Sequence, residues 1–377
     1  MRKYVLIPDS FKGTLSSREV CQIVAEAIRS QEPEAEICAI PVADGGEGTV
    51  DAFMSAVGGQ QVPVACTGPY GETITACYGL LPDGSAVVEM AAAAGLPMVG
   101  ENRDPEKTTT YGVGQLIRHA AHHGAKRLVL ALGGSATNDG GCGAAAAVGV
   151  KFYRATGESF VPVGGTLKDI HHIDMSGMDP AVRSIPFLTM CDIDNPLCGP
   201  TGASAVFGPQ KGADAAMVRR LDDGLCHLAA LLERDVGRDV LNLPGSGAAG
   251  GFGAGAAAFF ESPLQMGIDV VLELTDFDRR AADAALVITG EGRLDSQSLR
   301  GKVVVGVARR ARALGVPVAA LVGGSDTDVA AVYDEGVSGV FPINPLPQPF
   351  CEVREHCREN LRFTAENLMR FYLAVQK

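Results

Sequence analysis

The sequence predicts an α/β protein with two domains, and three observations support this prediction. Its 377 residues exceed what one hydrophobic core usually organises. Short apolar runs that end in turn residues alternate with segments of helical periodicity near both ends of the chain. The middle of the chain is instead rich in turn signals and glycine. The two ends are therefore predicted to share one domain, and the middle is predicted to form another.

The N-terminal segment has the pattern of a strand, a helix, a strand and a helix. Residues 4–7 form an apolar run closed by Pro-Asp-Ser, as in a buried parallel strand. Ser16 and Glu19 have the spacing of a capping box, and apolar residues then recur at helical spacing. A second strand is predicted over 37–42, with a helix opening after residue 48.

The middle of the chain is predicted to begin with an antiparallel meander of three strands, over 62–66, 73–81 and 86–90. Further strands are expected at 127–132 and 186–190. Near the C-terminus the alternating pattern returns, with predicted strands at 285–289, 316–322 and 339–343.

Two N-terminal strands and three C-terminal strands would complete a five-stranded parallel sheet. We therefore predict a flavodoxin-like, doubly wound parallel sheet domain from residues 1–65 and 280–377. A second, mixed α/β domain, residues 66–279, is predicted to be inserted into it.

Composition restricts the class of partner. A net charge of -12 and a pI near 5.1 argue against nucleic acid or an anionic membrane surface, because both require a basic face. No segment approaches a membrane span of about 20 apolar residues. Ten scattered cysteines without a CxxC pair are typical of reduced thiols in a cytoplasmic protein. A small molecule is the expected partner.

Polar residues follow the first two predicted strands, where open α/β sheets place their ligands. Asp9, Ser10 and Lys12 come directly after the first strand. Lys12 could contact an anionic oxygen, and Asp9 a metal or a hydroxyl; a solvent-facing turn explains them equally well. Asp44 lies in the equivalent position after the second strand, where the adjoining glycines could serve only to shape the turn.

A glycine-rich loop over 133–141 follows the strand at 127–132 and precedes a short predicted helix. Backbone N–H groups at Gly133 and Gly134, with the side chains of Ser135 and Asn138, could bind an anion. Such a turn is also often purely structural. The glycine-dense segment 244–255 could approach a ligand closely or could serve tight helix packing. The P-loop pattern GxxxxGK[ST] is absent, and no GxGxxG follows the first strand, which argues against a dehydrogenase.

Carboxylates follow two further strands. Asp192, Asp194 and Asn195 offer hard oxygen ligands suited to Mg²⁺ carried by phosphates, although an Asx turn before Pro196 is a comparable interpretation.

The other set comprises Glu291, Arg293 and Asp295. Arg293 could hold a carboxylate through two hydrogen bonds, or it could form a surface ion pair with Asp295.

Six motifs together resemble the bacterial glycerate kinase family, and they span nearly the whole chain in order. They are PDSFKG at 8–13, VADGGEGT at 42–49, GGSATNDGG at 133–141, CDIDNPLCG at 191–199, FGPQKG at 207–212 and ITGEGRLD at 288–295. The resemblance implies ATP-dependent phosphorylation of D-glycerate with Mg²⁺, in a two-domain α/β fold whose site lies between the domains. It also suggests 2-phosphoglycerate as the product.

On this basis we expect Lys12 and Arg293 to bind the glycerate carboxylate or the transferring phosphoryl group. Asp192 and Asp194 are expected to hold Mg²⁺, and Asp44 or Asp295 to orient the hydroxyl. Phosphates are expected on Gly133, Gly134 and Ser135, and a homodimer is possible. A kinase of another small hydroxy acid and a non-catalytic two-domain ligand-binding protein remain alternative interpretations.

Overall fold

The computed structural model describes residues 1–43, 45–295, 298–326, 330–345 and 349–376. Residue contacts divide the described chain into two compact units. Unit 1 comprises the described residues of 1–44, 55–57 and 266–377, and unit 2 those of 45–54 and 58–265. The predicted α/β class is confirmed. The predicted boundaries, 1–65 with 280–377 and 66–279, remain a proposal for where the domains end.

The strands of the described residues are β1 Lys3–Pro8, β2 Glu36–Ala39, β3 Gln60–Thr67, β4 Thr73–Leu80, β5 Ser85–Glu89, β6 Arg127–Ala131, β7 Lys151–Tyr153, β8 Ser159–Phe160, β9 His172–Asp174, β10 Phe187–Met190, β11 Leu264–Gln265, β12 Leu286–Glu291, β13 Val318–Val322 and β14 Gly339–Pro342. The α-helices are α1 Ser17–Gln31, α2 Thr49–Val57, α3 Ala91–Ala94, α4 Tyr111–His122, α5 Cys142–Ala147, α6 Pro180–Ser184, α7 Ala203–Phe207, α8 Ala215–Leu231, α9 Ala248–Phe259, α10 Gly267–Leu274, α11 Phe277–Ala281, α12 Val303–Ala313, α13 Ala331–Asp334 and α14 Phe350–Val375. Four short 3-10 helices and one π-helical turn connect them, at Leu96–Val99, Gly164–Asp169, Pro209–Lys211, Ser298–Arg300 and Leu232–Val236.

Unit 1 contains a five-stranded parallel sheet in the order β14-β13-β12-β1-β2. Strands β12 and β13 are buried along their whole length, which explains why their sequences are almost continuously apolar. Because all five strands are parallel, their carboxyl ends share one edge of the sheet. That edge carries the loops after β1 and β12.

Helix α1 illustrates how local sequence fixes this unit. The Ser16 hydroxyl accepts the Glu19 N–H and the Glu19 side chain accepts the Ser16 N–H, so the predicted capping box is confirmed. The apolar face of the helix packs against α14 in the core of the unit. The Ser17 hydroxyl donates to the Pro8 carbonyl and accepts the Val42 N–H, at 2.6 and 2.8 Å, which holds the ends of two loops together.

Unit 2 contains a six-stranded mixed sheet in the order β11-β10-β6-β5-β4-β3 and a three-stranded sheet in the order β8-β7-β9. The predicted antiparallel meander is confirmed in β3, β4 and β5. Strand β3 pairs with β4 along its full length, so it belongs to this sheet, whereas the predicted boundary at residue 65 divides it. Strands β5, β6, β10 and β11 are parallel, and their carboxyl ends share one edge.

The glycine-dense segment 244–255 forms the start of α9, and its composition is explained by close backbone packing. Gly250 has φ +64°, and a Cβ there would lie 2.0 Å from the Thr137 carbonyl oxygen. A Cβ on Gly255 would lie 2.3 Å from the Gly140 carbonyl oxygen. The structure therefore favours the packing interpretation. Helix α9 packs directly against the backbone of the 133–141 loop, and only glycine permits so close an approach.

Helices of the described residues include none that combines the length and apolar character needed to cross a membrane.

Candidate active site

In unit 1, Asp9 and Glu291 lie at the ends of neighbouring strands. Strands β1 and β12 pair in register, with Pro8 opposite Gly290, and the Asp9 N–H donates to the Gly290 carbonyl at 2.8 Å. A Cβ on Gly290 would lie 2.2 Å from the Leu321 carbonyl oxygen, so the strand can pass its neighbour only with glycine here. The sheet thus brings two carboxylates, distant in sequence, to one edge.

Glu291, at this edge of the sheet, has a raised pKa. The residue is 6% exposed, and its Oε1 atom has no hydrogen-bond partner among the described residues. Burial, together with the nearby charges of Asp9 and Asp295, raises the pKa of Glu291 to about 7, although the hydrogen bond from Ser298 and the charge of Lys302 oppose the rise. A carboxyl group with a pKa near 7 can hold or release a proton at physiological pH.

The loop after β1 presents Ser10 and Lys12. It lines an open depression of about 380 Å³ that extends from Ser10 to Ser16. The Ser10 N–H donates to the Asp9 carboxylate at 2.6 Å, and Lys12 is exposed. Because Lys12 is exposed beside this depression, its ammonium group can contact an anionic ligand there while it stays largely hydrated.

Arg293 is 69% exposed at its side chain and pairs with Asp326 at 2.8 Å. The alternative interpretation from sequence, an ion pair with Asp295, is therefore wrong in its partner. The Asp295 carboxylate instead accepts the Ser298 N–H at 3.4 Å and lies at the start of a 3-10 turn. A surface ion pair of this kind contributes little to stability, so the Arg293 guanidinium can exchange Asp326 for a ligand at low cost.

In unit 2, the 133–141 loop leaves β6 at the carboxyl edge of the mixed sheet. The Gly133 N–H donates to the Gly45 carbonyl at 2.8 Å, and the Ala136 N–H donates to the Ala94 carbonyl at 2.9 Å. Gly134, exposed and at φ +76°, lies between these two anchors. The N–H groups of Gly134 and Ser135 find no acceptor among the residues that the structure describes. Two donors, one at exposed Gly134 and one at buried Ser135, remain for an anionic ligand.

The N-terminus of helix α5 is occupied by Asp139, from the same loop. The fully buried Asp139 carboxylate accepts the N–H groups of Thr110, Gly141 and Gly143 and the Thr110 hydroxyl. Burial raises the pKa of Asp139, and these four donors oppose the rise. The helix end is thus capped from within, and any ligand of this loop must contact residues 133–135.

Lys211 is a buried cation that the sequence interpretation did not select, although it lies in the FGPQKG motif. Its Nζ donates to the Ser135 hydroxyl at 2.8 Å and to the Thr137 carbonyl at 2.7 Å. The residue is 2% exposed, and burial lowers the pKa of its ammonium group to about 7. The only available signal was the presence of a lysine in a glycine- and proline-bounded motif.

The two amide side chains proposed as ligands are occupied within unit 2. Asn138 is fully buried and its Nδ2 lies 3.2 Å from the Ser204 hydroxyl. Asn195 Nδ2 donates to the Thr201 carbonyl at 2.8 Å. Both side chains therefore shape their loops, and each retains only part of its hydrogen-bonding capacity for a ligand.

Asp192 and Asp194 follow β10, whose carboxyl end adjoins that of β6. Asp192 is half-buried and Asp194 is exposed. Nowhere in the described part of the chain do three His, Cys, Asp or Glu side chains gather around a metal-sized site. Two hard carboxylates nevertheless fit a Mg²⁺ ion that takes its other ligands from phosphates and water. Asp44 lies outside the described residues.

The structure thus distributes the predicted site residues over two sheet edges. Unit 1 brings Asp9, Ser10, Lys12, Glu291, Arg293 and Asp295 to one edge, and unit 2 brings Gly133, Gly134, Ser135, Asp192, Asp194 and Asn195 to another. Each set mixes hydrogen-bond donors with carboxylates, which is the chemistry that phosphorylated and carboxylated small molecules require.

Comparison with known proteins agrees with this chemistry. The family model described as glycerate kinase family matches residues 4–373. A glycerate kinase of Bacillus cereus (strain ATCC 10987 / NRS 248) is 45% identical over 97% of each chain. The glycerate 2-kinase of Escherichia coli (strain K12) is 44% identical over 90% of each chain. A crystal structure from Salmonella typhimurium LT2, provisionally assigned as glycerate kinase 2, superposes with TM-score 0.88 at 43% identity, covering 100% of this chain and 99% of that one.

A match over nearly the full length of both chains transfers the family and not merely a shared fold. The chain is an enzyme that belongs to the glycerate kinase family.

Proposed function

We propose that this enzyme transfers the γ-phosphoryl group of ATP to D-glycerate and forms 2-phosphoglycerate. The full-length match to the family carries the proposal, and the similarity to a glycerate 2-kinase supports the position of the phosphate. In the reaction the C2 hydroxyl oxygen forms a bond to the γ-phosphorus while the bond from that phosphorus to the β–γ bridging oxygen breaks. The hydroxyl proton leaves to a base, and ADP departs.

The phosphates of ATP are proposed to lie on Gly133, Gly134 and Ser135. The free N–H groups of Gly134 and Ser135 support this assignment, because oriented backbone donors stabilise phosphate charge without adding net charge to an acidic protein. Asp192 and Asp194 would hold Mg²⁺. When bound, that ion would neutralise charge on the phosphate oxygens.

Residues of unit 1 are proposed to bind the hydroxy acid. Lys12 and the readily released Arg293 guanidinium suit its carboxylate or the transferring phosphoryl group. Asp9, Ser10 and Glu291 would contact the substrate, and Asp44 or Asp295 would orient the reacting hydroxyl. The strand order of unit 1 supports its description as a flavodoxin-like domain.

The setting of the enzyme is also a proposal. Its ten cysteines are unpaired, which supports a reducing cytoplasmic location. The acidic charge supports small-molecule partners and not nucleic acid. A homodimer is possible, and sedimentation equilibrium would decide between it and a monomer.

A coupled assay tests the proposal. Formation of ADP is followed with Mg²⁺ and ATP in the presence of D-glycerate, and ³¹P and ¹H NMR identify the phosphorylated carbon. We expect turnover that depends on D-glycerate and yields the 2-phosphate. L-glycerate and tartronate are the matched control substrates. Equal turnover of tartronate would assign a different hydroxy acid, and ADP formation that is indifferent to every acid would refute the proposal.

A further inference from the structure

The environment of Lys211 distinguishes it from the surface lysines of the chain. The residue is 2% exposed in the 3-10 turn Pro209–Lys211. Its amine holds two loop atoms, the Ser135 hydroxyl oxygen and the Thr137 carbonyl oxygen, at 2.8 and 2.7 Å. A lysine this deeply buried without a carboxylate at hydrogen-bond distance loses much of its hydration energy, and proteins rarely retain one without a reason.

The hydrogen bonds around Lys211 leave donors available. Because the Ser135 oxygen accepts from Lys211, the Ser135 O–H can donate to another group, and no acceptor for it is found within the described ranges. The N–H groups of Ser135 and exposed Gly134 are likewise free there. The Thr137 hydroxyl is fully buried, and no described residue forms a hydrogen bond with it. An unsatisfied buried hydroxyl beside free amides is the arrangement expected where a ligand completes the hydrogen bonding.

Charges around Lys211 leave room for an anion. Among the described residues, Asp139 is the charge that acts appreciably on Lys211, and its carboxylate already accepts four hydrogen bonds. The neighbouring Arg103 guanidinium donates to the Gln210 and Gly100 carbonyls. Burial lowers the pKa of Lys211 from 10.5 to about 7, into the range where a bound anion can change the protonation of the amine.

We propose that Lys211 is a positioning residue that orients Ser135 toward the polyphosphate of a nucleoside triphosphate and takes up a proton when that polyphosphate binds. This inference rests on the proposed function and deepens it. An arriving phosphate favours the ammonium form of Lys211 by Coulomb attraction. The ammonium group then strengthens its hydrogen bond to Ser135, whose O–H, with the two free amides, donates to phosphate oxygens. Nucleotide binding and protonation of Lys211 are therefore linked.

Isothermal titration calorimetry tests the linkage directly. The full chain is titrated with the non-hydrolysable analogue AMP-PNP and excess Mg²⁺ in pairs of buffers with different ionisation enthalpies, which gives the number of protons taken up. From a free-state pKa of about 7, we expect uptake of about 0.1 proton at pH 6, about 0.5 at pH 7 and about 0.9 at pH 8. A terminal phosphate, with a pKa near 6, gives the opposite sign, because it releases a proton on binding and only at the acidic end.

Two variants separate Lys211 from other lysines. K211M should abolish proton uptake and weaken AMP-PNP binding about tenfold to a hundredfold, the loss typical of a charge-assisted hydrogen bond and its partner. K168M removes an exposed lysine of the same unit, paired with Asp223, and should behave as the wild type. In steady-state kinetics K211M should raise the KM for ATP, while the KM for D-glycerate stays within about twofold.

Every outcome decides the proposal. Wild-type uptake that grows from pH 6 to pH 8 and persists in E291Q, which removes the other group with a pKa of about 7, supports it even if K211M does not fold. AMP-PNP binding without uptake, or with the same uptake in K211M, overturns it and leaves the proposed function intact. Uptake on titration with D-glycerate that K211M abolishes also overturns it, because the anion that acts on Lys211 would then be a carboxylate. Absence of AMP-PNP binding overturns both this proposal and the proposed use of ATP.

Discussion

Substitution of Glu291 by Gln should change how the stability of the protein depends on pH. Glu291 is buried at the end of β12, and its pKa is raised from 4.5 to about 7, chiefly by burial and secondarily by Asp9. The folded state therefore binds the carboxyl proton more tightly than the unfolded state. The free energy of unfolding is highest when this group is protonated, falls as pH rises above 4.5, and levels off once pH exceeds 7.

The magnitude follows from the shift of the pKa. Each pKa unit corresponds to about 1.36 kcal/mol, so a rise from 4.5 to about 7 amounts to about 3.4 kcal/mol of lost stability at high pH. About 2.5 kcal/mol of this loss falls between pH 5 and pH 8.5. Gln cannot ionise, so the wild type should become less stable relative to E291Q by about 2.5 kcal/mol across that interval.

Urea unfolding followed by circular dichroism at 222 nm measures this difference, since the chain has no tryptophan for fluorescence. Two compact units can unfold in separate steps, and the effect should be confined to one of them. E34Q, which removes an exposed carboxylate of unit 1, should retain the wild-type pH dependence. Parallel stability curves for the wild type and E291Q from pH 5 to 8.5 would show that burial does not perturb Glu291 and would refute the reasoning.

Three further changes test the site and its support. D192N should lower kcat about a hundredfold and raise the Mg²⁺ concentration needed for half-maximal rate, because one hard ligand becomes neutral; this is read from initial rates over a Mg²⁺ series. R293K should raise the KM for D-glycerate about tenfold with little change in kcat, since an ammonium group cannot grip a carboxylate with two parallel hydrogen bonds. G250A should lower the free energy of unfolding by about 3 kcal/mol, because its Cβ would lie 2.0 Å from the Thr137 carbonyl oxygen; G157A, at φ +84° with open space around it, should lose about 1 kcal/mol.

Controls sharpen these measurements. D223N removes an exposed aspartate of unit 2 and should keep the wild-type response to Mg²⁺. Unchanged kinetics in D192N would discredit its metal role, and a fall in kcat alone for R293K would move Arg293 from substrate binding to the transferring phosphoryl group. Equal stability losses in G250A and G157A would show that the left-handed backbone, and not the contact with Thr137, makes Gly250 necessary.

Local signals predicted most of the elements of this fold. Continuous apolar runs placed β12 and β13, and the capping box at Ser16 placed the start of α1. The boundary predicted at residue 65 falls inside β3, which pairs with β4 along its full length. Turn signals predicted this pairing, but they do not indicate where a compact unit ends, because that depends on contacts between residues far apart in sequence.

The candidate site was predicted by residue type but not by environment. The pairing of β1 with β12 places Asp9 near Glu291, although 282 residues separate them in sequence. Burial of Glu291 at this position, with the nearby charge of Asp9, raises its pKa. Arg293 pairs with Asp326 and not with the nearer Asp295, because a loop after the neighbouring strand presents Asp326 to it. Asp139 was not selected from the sequence, and only the fold shows that its carboxylate caps the N-terminus of α5.

By itself the sequence determined the α/β class, the order of the elements, the family and the set of polar residues at strand ends, because periodicity, capping and motif are properties of neighbouring residues. Only the tertiary structure decided which ionisable side chains are buried away from water. Nothing in the sequence distinguishes Lys211 and Glu291 from other lysines and glutamates. In the fold, burial brings the pKa of each to about 7, because the cost of burying a charge depends on residues far along the chain that pack around it.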